Sequence, residues 1–312
     1  MPARDEPLPV QVFEQVAGFV PTPGSAYVYG HLPEDRSDHV QAWRRAAPQI
    51  AVVEITAQST SEMTVGPEGS GSQLLLRSTR QLASFWGRIG AKPVYLDITG
   101  LEHQVWAPLV KSALEQRVEL SVVYVEPARY AFSPTPTEGQ IFDLSASVKG
   151  ISPLPGFATL SEQSTPEDWF VPLLGFEGTR LRYVIEHVQP AQERIIPVIG
   201  VPGFRPEYPF HAYLGNKNPL EETGAWQAVR YAQANCPFSL YYLLRSISMQ
   251  RPHGTMRIAP IGTKPHGLGA ILFKLTSSRP VEIIYDHPVR LAKRTSGTDR
   301  LFVYRVSTFL GS

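Results

Sequence analysis

The chain has 312 residues, 43% hydrophobic and 18% charged, with 29 Lys/Arg against 28 Asp/Glu and a formal net charge of +1. That length accommodates two domains with substantial cores, and near-neutrality excludes a protein whose whole surface is a nucleic-acid platform. No apolar run approaches the roughly 18–20 residues of a membrane helix and MPARDEPLPV carries no apolar signal region, so a cytoplasmic protein without membrane contact is expected.

Short runs rich in Val, Ile and Tyr recur with amphipathic stretches between them, and the runs are continuously apolar rather than alternating, as strands covered on both faces should be. In chain order the expected strands are 26–29, 50–55, 93–98 and 120–125, with helices at 38–46, 77–89 and 105–116. The segment 59–72, STSEMTVGPEGSGS, reads as a mobile surface loop, and 133–156, with PTPTEG and ISPLPG, as loops. Strands follow at 170–174, 195–201, 256–261, 281–285 and 301–306, with helices at 179–188, 225–234, 239–249 and 266–275.

The pattern predicts an α/β protein with two Rossmann-like open sheets flanked by helices, divided near Gly150 into an N-terminal domain, 1–150, and a C-terminal domain, 151–312. The segments Val94–Tyr130 and Ile258–Leu291 share strand, Gly/Thr turn, helix and an apolar strand followed by an acid, Pro and Arg. An internal duplication is one reading of that similarity, and two unrelated βαβ units are another. Duplication would put Asp97 and Glu126 in places related to Thr263 and Asp286.

Charge is unevenly placed. From Arg251 onward there are ten Lys/Arg against three Asp/Glu, or +7, which leaves 19 basic and 25 acidic residues, or −6, before it. A phosphorylated ligand, a nucleic-acid edge, a protein partner docked through the basic 251–312 region, and a merely solvated basic face all fit.

Ligands of open α/β sheets bind outside the carboxyl ends of strands, which directs attention to GFEG with Arg180, GVPGFRPE, GTKPHGLG and YDHP with Arg290. GTKPHGLG is neither a Walker loop nor a dinucleotide fingerprint. Its residues still suit an anion at a helix start: Gly262 turns the backbone, Thr263 and Lys264 reach a phosphate, and Gly267 permits close approach. Tight helix packing is the competing explanation for the glycines. In YDHP, Asp286 and His287, or Asp286 with His266 from the neighbouring turn, form a candidate acid–base set, against simple turn formation. Arg205, held among prolines, and Arg290 are candidate anion contacts, and Glu177 a candidate ribose contact. An Arg205–Glu207 loop pair is the plainer alternative.

Cys236, the single cysteine, permits neither an internal disulfide nor a cysteine zinc cluster and reads as a buried structural thiol. The eight histidines lack HxH or HxxxH spacing, and no GxSxG elbow occurs, so no metal site and no serine hydrolase is expected. The reading reached is binding of a nucleotide-like or phosphorylated small molecule at the strand ends of the C-terminal domain, with turnover and cofactor unassigned. The alternative is a non-catalytic subunit of a larger assembly, docking through the basic C-terminal region.

Overall fold

A computed structural model describes residues 8–67, 69–90, 92–137, 139–159 and 165–311, and divides the chain into two compact units, Met1–Arg129 with Thr295–Ser312, and Tyr130–Arg294. The first unit runs β1 (Val10–Phe13), β2 (Ala26–Gly30), α1 (Val40–Arg44), β3 (Ala51–Gln58), β4 (Glu62–Val65), β5 (Ser72–Leu75), α2 (Thr79–Ile89), β6 (Val94–Asp97), α3 (His103–Glu115) and β7 (Leu120–Tyr130). The second holds β8 (Phe132–Thr137), β9 (Gln140–Phe142), β10 (Ser145–Val148), β11 (Trp169–Leu173), α4 (Gly178–Val188), β12 (Val198–Gly200), α5 (Tyr208–Gly215), α6 (Lys217–Glu222), β13 (Arg230–Ala232), α7 (Pro237–Gln250), β14 (Met256–Pro260), α8 (Lys264–Thr276), β15 (Val281–Ile283) and β16 (Pro288–Arg290). The chain then returns to the first unit as β17 (Thr295–Arg305) and α9 (Val306–Leu310).

The first unit is built on an eight-stranded sheet in the order β1-β17-β7-β6-β2-β3-β4-β5, whose central strands β3, β2, β6 and β7 are parallel. The inner strands β2, β6 and β7 are largely buried, every residue of β2 among them, while β3 is only partly covered. The second unit holds a fully parallel five-stranded sheet, β13-β12-β11-β14-β15, with β11 first in sequence and at the centre. Strands are added to one side of β11 as β12 and β13 and then to the other as β14 and β15, a doubly wound arrangement with its switch point at the carboxyl ends of β11 and β14. Two small antiparallel ribbons, β8–β9 and β10–β16, lie beside that sheet in the same unit.

Helix starts follow local chemistry. Ser78 caps α2 by accepting the Gln81 N–H, Thr263 caps α8 by accepting that of His266, and Pro237 opens α7 where no amide hydrogen is needed.

Four expectations need correcting. The stretch 133–156 is not all loop: it carries most of β8 and all of β9 and β10, and the prolines of β8 are tolerated because they sit in a short two-stranded ribbon rather than a central sheet. Residues 59–72 are not one loop: Met63 is buried and Glu62–Val65 pairs antiparallel with Ser72–Leu75, because the Glu-Met-Thr-Val alternation suits a half-buried strand. The segment 225–234 is a short 3₁₀ turn followed by β13, since parallel pairing with β12 outweighs its helical composition. The break between units falls after Arg129 rather than near Gly150, and residues 295–312 belong with the first unit because β17 pairs with β1, Val10 opposite Tyr304.

The two segments compared as a duplication, 94–130 and 258–291, each form a strand beside their unit's first parallel strand, a helix, and the next strand outward. Both switch points are closed in the same manner. A Cβ on Gly100 would sit 1.8 Å from the Gly30 carbonyl oxygen, and one on Gly262 would sit 2.5 Å from that of Leu174. Only glycine lets the two turns meet backbone to backbone.

Candidate functional site

At the second unit's switch point the turn leaving β11, Gly175 to Gly178, meets the turn leaving β14. The crevice that an open sheet offers there is occupied by Arg180, from the first turn of α4. Its Nη1 donates to the Ile261 carbonyl oxygen at 2.8 Å, while Nε and Nη2 donate to the two carboxylate oxygens of Asp286 at 2.7 Å. Arg180 and Asp286 are both almost fully buried. This forked pair ties α4 to the ends of β14 and β15.

Glu177 precedes α4 and is also buried; its carboxylate accepts the Leu144 N–H and the Ser145 hydroxyl, each at 3.0 Å, and lies 3.7 Å from Arg180. Ser145 stands opposite Arg290 in the β10–β16 ribbon, so the two side chains share a face. Burial, followed by the charges of Arg294 and Arg180, pushes the Arg290 guanidinium down to about 10, with Tyr285 and Glu177 acting in the other direction. Among the described residues no carboxylate comes within ion-pair distance of Arg290. Three guanidinium groups therefore influence one another in a region with two carboxylates, Asp286 being already engaged by Arg180. Beside Glu177 is a cleft of about 390 Å³ lined by Phe142, Ser145, Phe176, Glu177, Thr179 and Tyr183, among others.

The remaining candidates are placed elsewhere. Thr263 donates its hydroxyl to the Ala234 carbonyl oxygen at 2.7 Å, and His266 Nε2 lies 3.0 Å from that of Gln233. Lys264, His266 and Gly267 are buried in the first turn of α8, and a Cβ on Gly269 would lie 2.4 Å from the Pro237 carbonyl oxygen. The start of α8 thus meets carbonyl oxygens, which repel an anion, and Gly269 serves the close packing considered as the alternative. Burial pushes His266 down to about 4, so its imidazole is neutral near pH 7.

His287 adopts φ 43°, and its Nε2 lies 2.9 Å from the Ser152 hydroxyl. Asp286 and His287 therefore engage different partners, Arg180 and Ser152, and do not form a couple with each other. Arg205 pairs loosely with Glu207 at 3.9 Å, both side chains well exposed, which is the loop pair weighed above. The structure brings together Glu177, Asp286 and Arg290, adds Arg180 and Arg294, and leaves Arg205, Lys264, His266 and His287 with other surroundings. The sequence signal for Arg180 is its place three residues after Glu177, one helical turn on; Arg294 has no such mark.

In the first unit, Glu54, Asp97 and Glu126 have separate partners. Glu54 hydrogen-bonds Tyr29, Arg300 donates to Glu126, and Asp97 Oδ2 accepts from Tyr27 at 2.9 Å and lies 3.1 Å from His39 Nε2. Among the described residues no group of three His, Cys, Asp or Glu side chains is placed to hold a metal ion.

No family model matches the chain, and no curated protein does. Among solved structures the chain is similar to a precorrin-6A reductase, CobK, at 15% identity over 85% of this chain and 89% of that one, with a TM-score of 0.24. A likeness of that degree bears no inference about function. The α/β class rests on the two sheets themselves. No helix among the described residues is long and apolar enough to cross a membrane.

Proposed function

We propose that the second unit binds a nucleotide-like or otherwise phosphorylated small molecule beside the start of α4, with Arg290 as the anion contact and Glu177 and Ser145 at the neighbouring wall. The observation that carries this reading is Arg290: a partly buried guanidinium whose pKa is lowered first by burial and then by two other arginines, and which has no carboxylate within ion-pair distance among the described residues. A bound phosphate would supply the missing counter-charge, and the forked geometry of arginine suits it. The proposal assigns binding and no reaction. Asp286 has both oxygens engaged by Arg180, and His266 is buried and neutral, so neither is placed as a ready acid or base.

The test is a thermal-shift screen of the whole protein against nucleotides, dinucleotides and sugar phosphates, with and without Mg²⁺. A ligand at about 100 times its Kd stabilises the native state by roughly 2.7 kcal/mol. Arg290→Ala should abolish the shift while leaving the ligand-free melting temperature nearly unchanged. A shift that survives Arg290→Ala, or no shift with any phosphorylated compound, would overturn the reading.

A further inference from the structure

The amino-terminal edge of the same sheet carries a second cluster of arginines. Trp169 opens β11, and the guanidinium carbons of Arg194 and Arg251 lie 4.5 and 4.6 Å from its ring centroid. Two guanidinium groups thus lie against one indole. The ring is accordingly buried, while Arg194 is half-buried and Arg251 exposed. Arg194 Nη1 also donates to the Glu167 carbonyl oxygen at 3.2 Å. Arg279, exposed, donates through Nη1 to the carbonyl oxygens of Ser248 and Arg251 and so stands beside Arg251. Each of the three precedes a strand of the parallel sheet: Arg194 before β12, Arg251 before β14 and Arg279 before β15.

None of these arginines has a carboxylate within ion-pair distance among the described residues. Arg257, by contrast, lies 3.4 Å from Asp168 and 3.2 Å from Glu282. Carbonyl oxygens and an indole hold guanidinium groups in place without neutralising them. The array has therefore lost much of its side-chain entropy and keeps its full charge, which favours an incoming anion.

We infer that this array is a docking site for the phosphate backbone of nucleic acid. Trp169 is buried with two arginines against its ring, so it is not open for a base to stack on, and the contacts the array offers are to phosphates. Binding is then independent of sequence, steeply dependent on salt, and in the range of about 10⁻⁴–10⁻⁶ M at physiological ionic strength.

The experiment is fluorescence anisotropy of the full chain with labelled single-stranded and duplex oligonucleotides of mixed sequence across a salt series. Arg251→Gln combined with Arg279→Glu should weaken binding by about tenfold or more at low salt and lower the salt slope by about 1 per lost contact. Glutamine keeps a planar amide over Trp169, and a thermal melt checks the fold. Should the double variant unfold, Arg279→Glu alone carries the test, because that side chain is exposed. Arg182→Ala, which removes an exposed guanidinium paired with Glu222 at 2.7 Å, should leave oligonucleotide binding unchanged. Absence of binding at low salt, or unchanged affinity in both Arg279 variants, would overturn the inference. Binding of polyglutamate in place of oligonucleotide would assign the array to an acidic protein and equally overturn it.

Discussion

Arg180 and Asp286, 106 residues apart in sequence, meet through two hydrogen bonds of 2.7 Å in the interior of the second unit. The pair occupies the place where an open parallel sheet would receive a ligand, and so moves the candidate site sideways, to Arg290 and the start of α4. Removing either partner leaves a buried charge uncompensated. Arg180→Ala and Asp286→Ala are each expected to destabilise the second unit by about 3–5 kcal/mol, whereas Arg180→Met with Asp286→Leu should cost less than either single change. Urea unfolding followed by a probe in the second unit checks this; a double variant as unstable as the sum of the singles contradicts it.

In the first unit, His39 places Nδ1 3.0 Å from the Arg36 carbonyl oxygen and Nε2 3.1 Å from Asp97. Burial pushes the imidazole down, but the charge and hydrogen bond of Asp97, aided by Arg36 and Asp38, carry it above its ordinary value. Burial likewise pushes Asp97 up, and His39 with Thr99 brings it below the usual carboxylate range. With a raised native pKa, the His39 contribution is complete below about pH 6.5 and is lost as pH rises through the native value. The melting temperature of the first unit should therefore decline above about pH 6.5, and His39→Gln should flatten that decline.

His266 has the opposite sign. Its native pKa of about 4 lies below the unfolded value of about 6.5, so between these limits the unfolded chain binds more protons and stability falls as pH is lowered. Across pH 7 to 4, wild type should lose more stability than His266→Asn, as measured by unfolding of the second unit.

Two glycine substitutions should act in opposite directions. Gly87 lies inside α2 with nothing within 4 Å of a built Cβ, and Gly87→Ala is expected to stabilise by about 0.5–1 kcal/mol. Gly262→Ala would bring its Cβ to 2.5 Å from a backbone oxygen and should destabilise the second unit markedly, a contrast read directly from the two melting curves.

Much of this architecture is local chemistry. The apolar runs of β2, β6, β11 and β14 and the amphipathic stretch of α2 are visible within a few residues, because helix and strand periods depend on near neighbours. Polar groups after apolar strands likewise mark Glu177, Asp286 and Arg290 as edge residues. What surrounds each was decided by tertiary structure. The return of β17 to β1, the Ser145–Arg290 register, the Arg180–Asp286 fork and the carbonyl oxygens against α8 join segments far apart in the chain, with no local signal to announce the pairing. A lysine or histidine in a glycine-rich turn looks the same in sequence whether its helix opens to solvent or onto carbonyl oxygens, and packing alone separates an anion site from a sealed core.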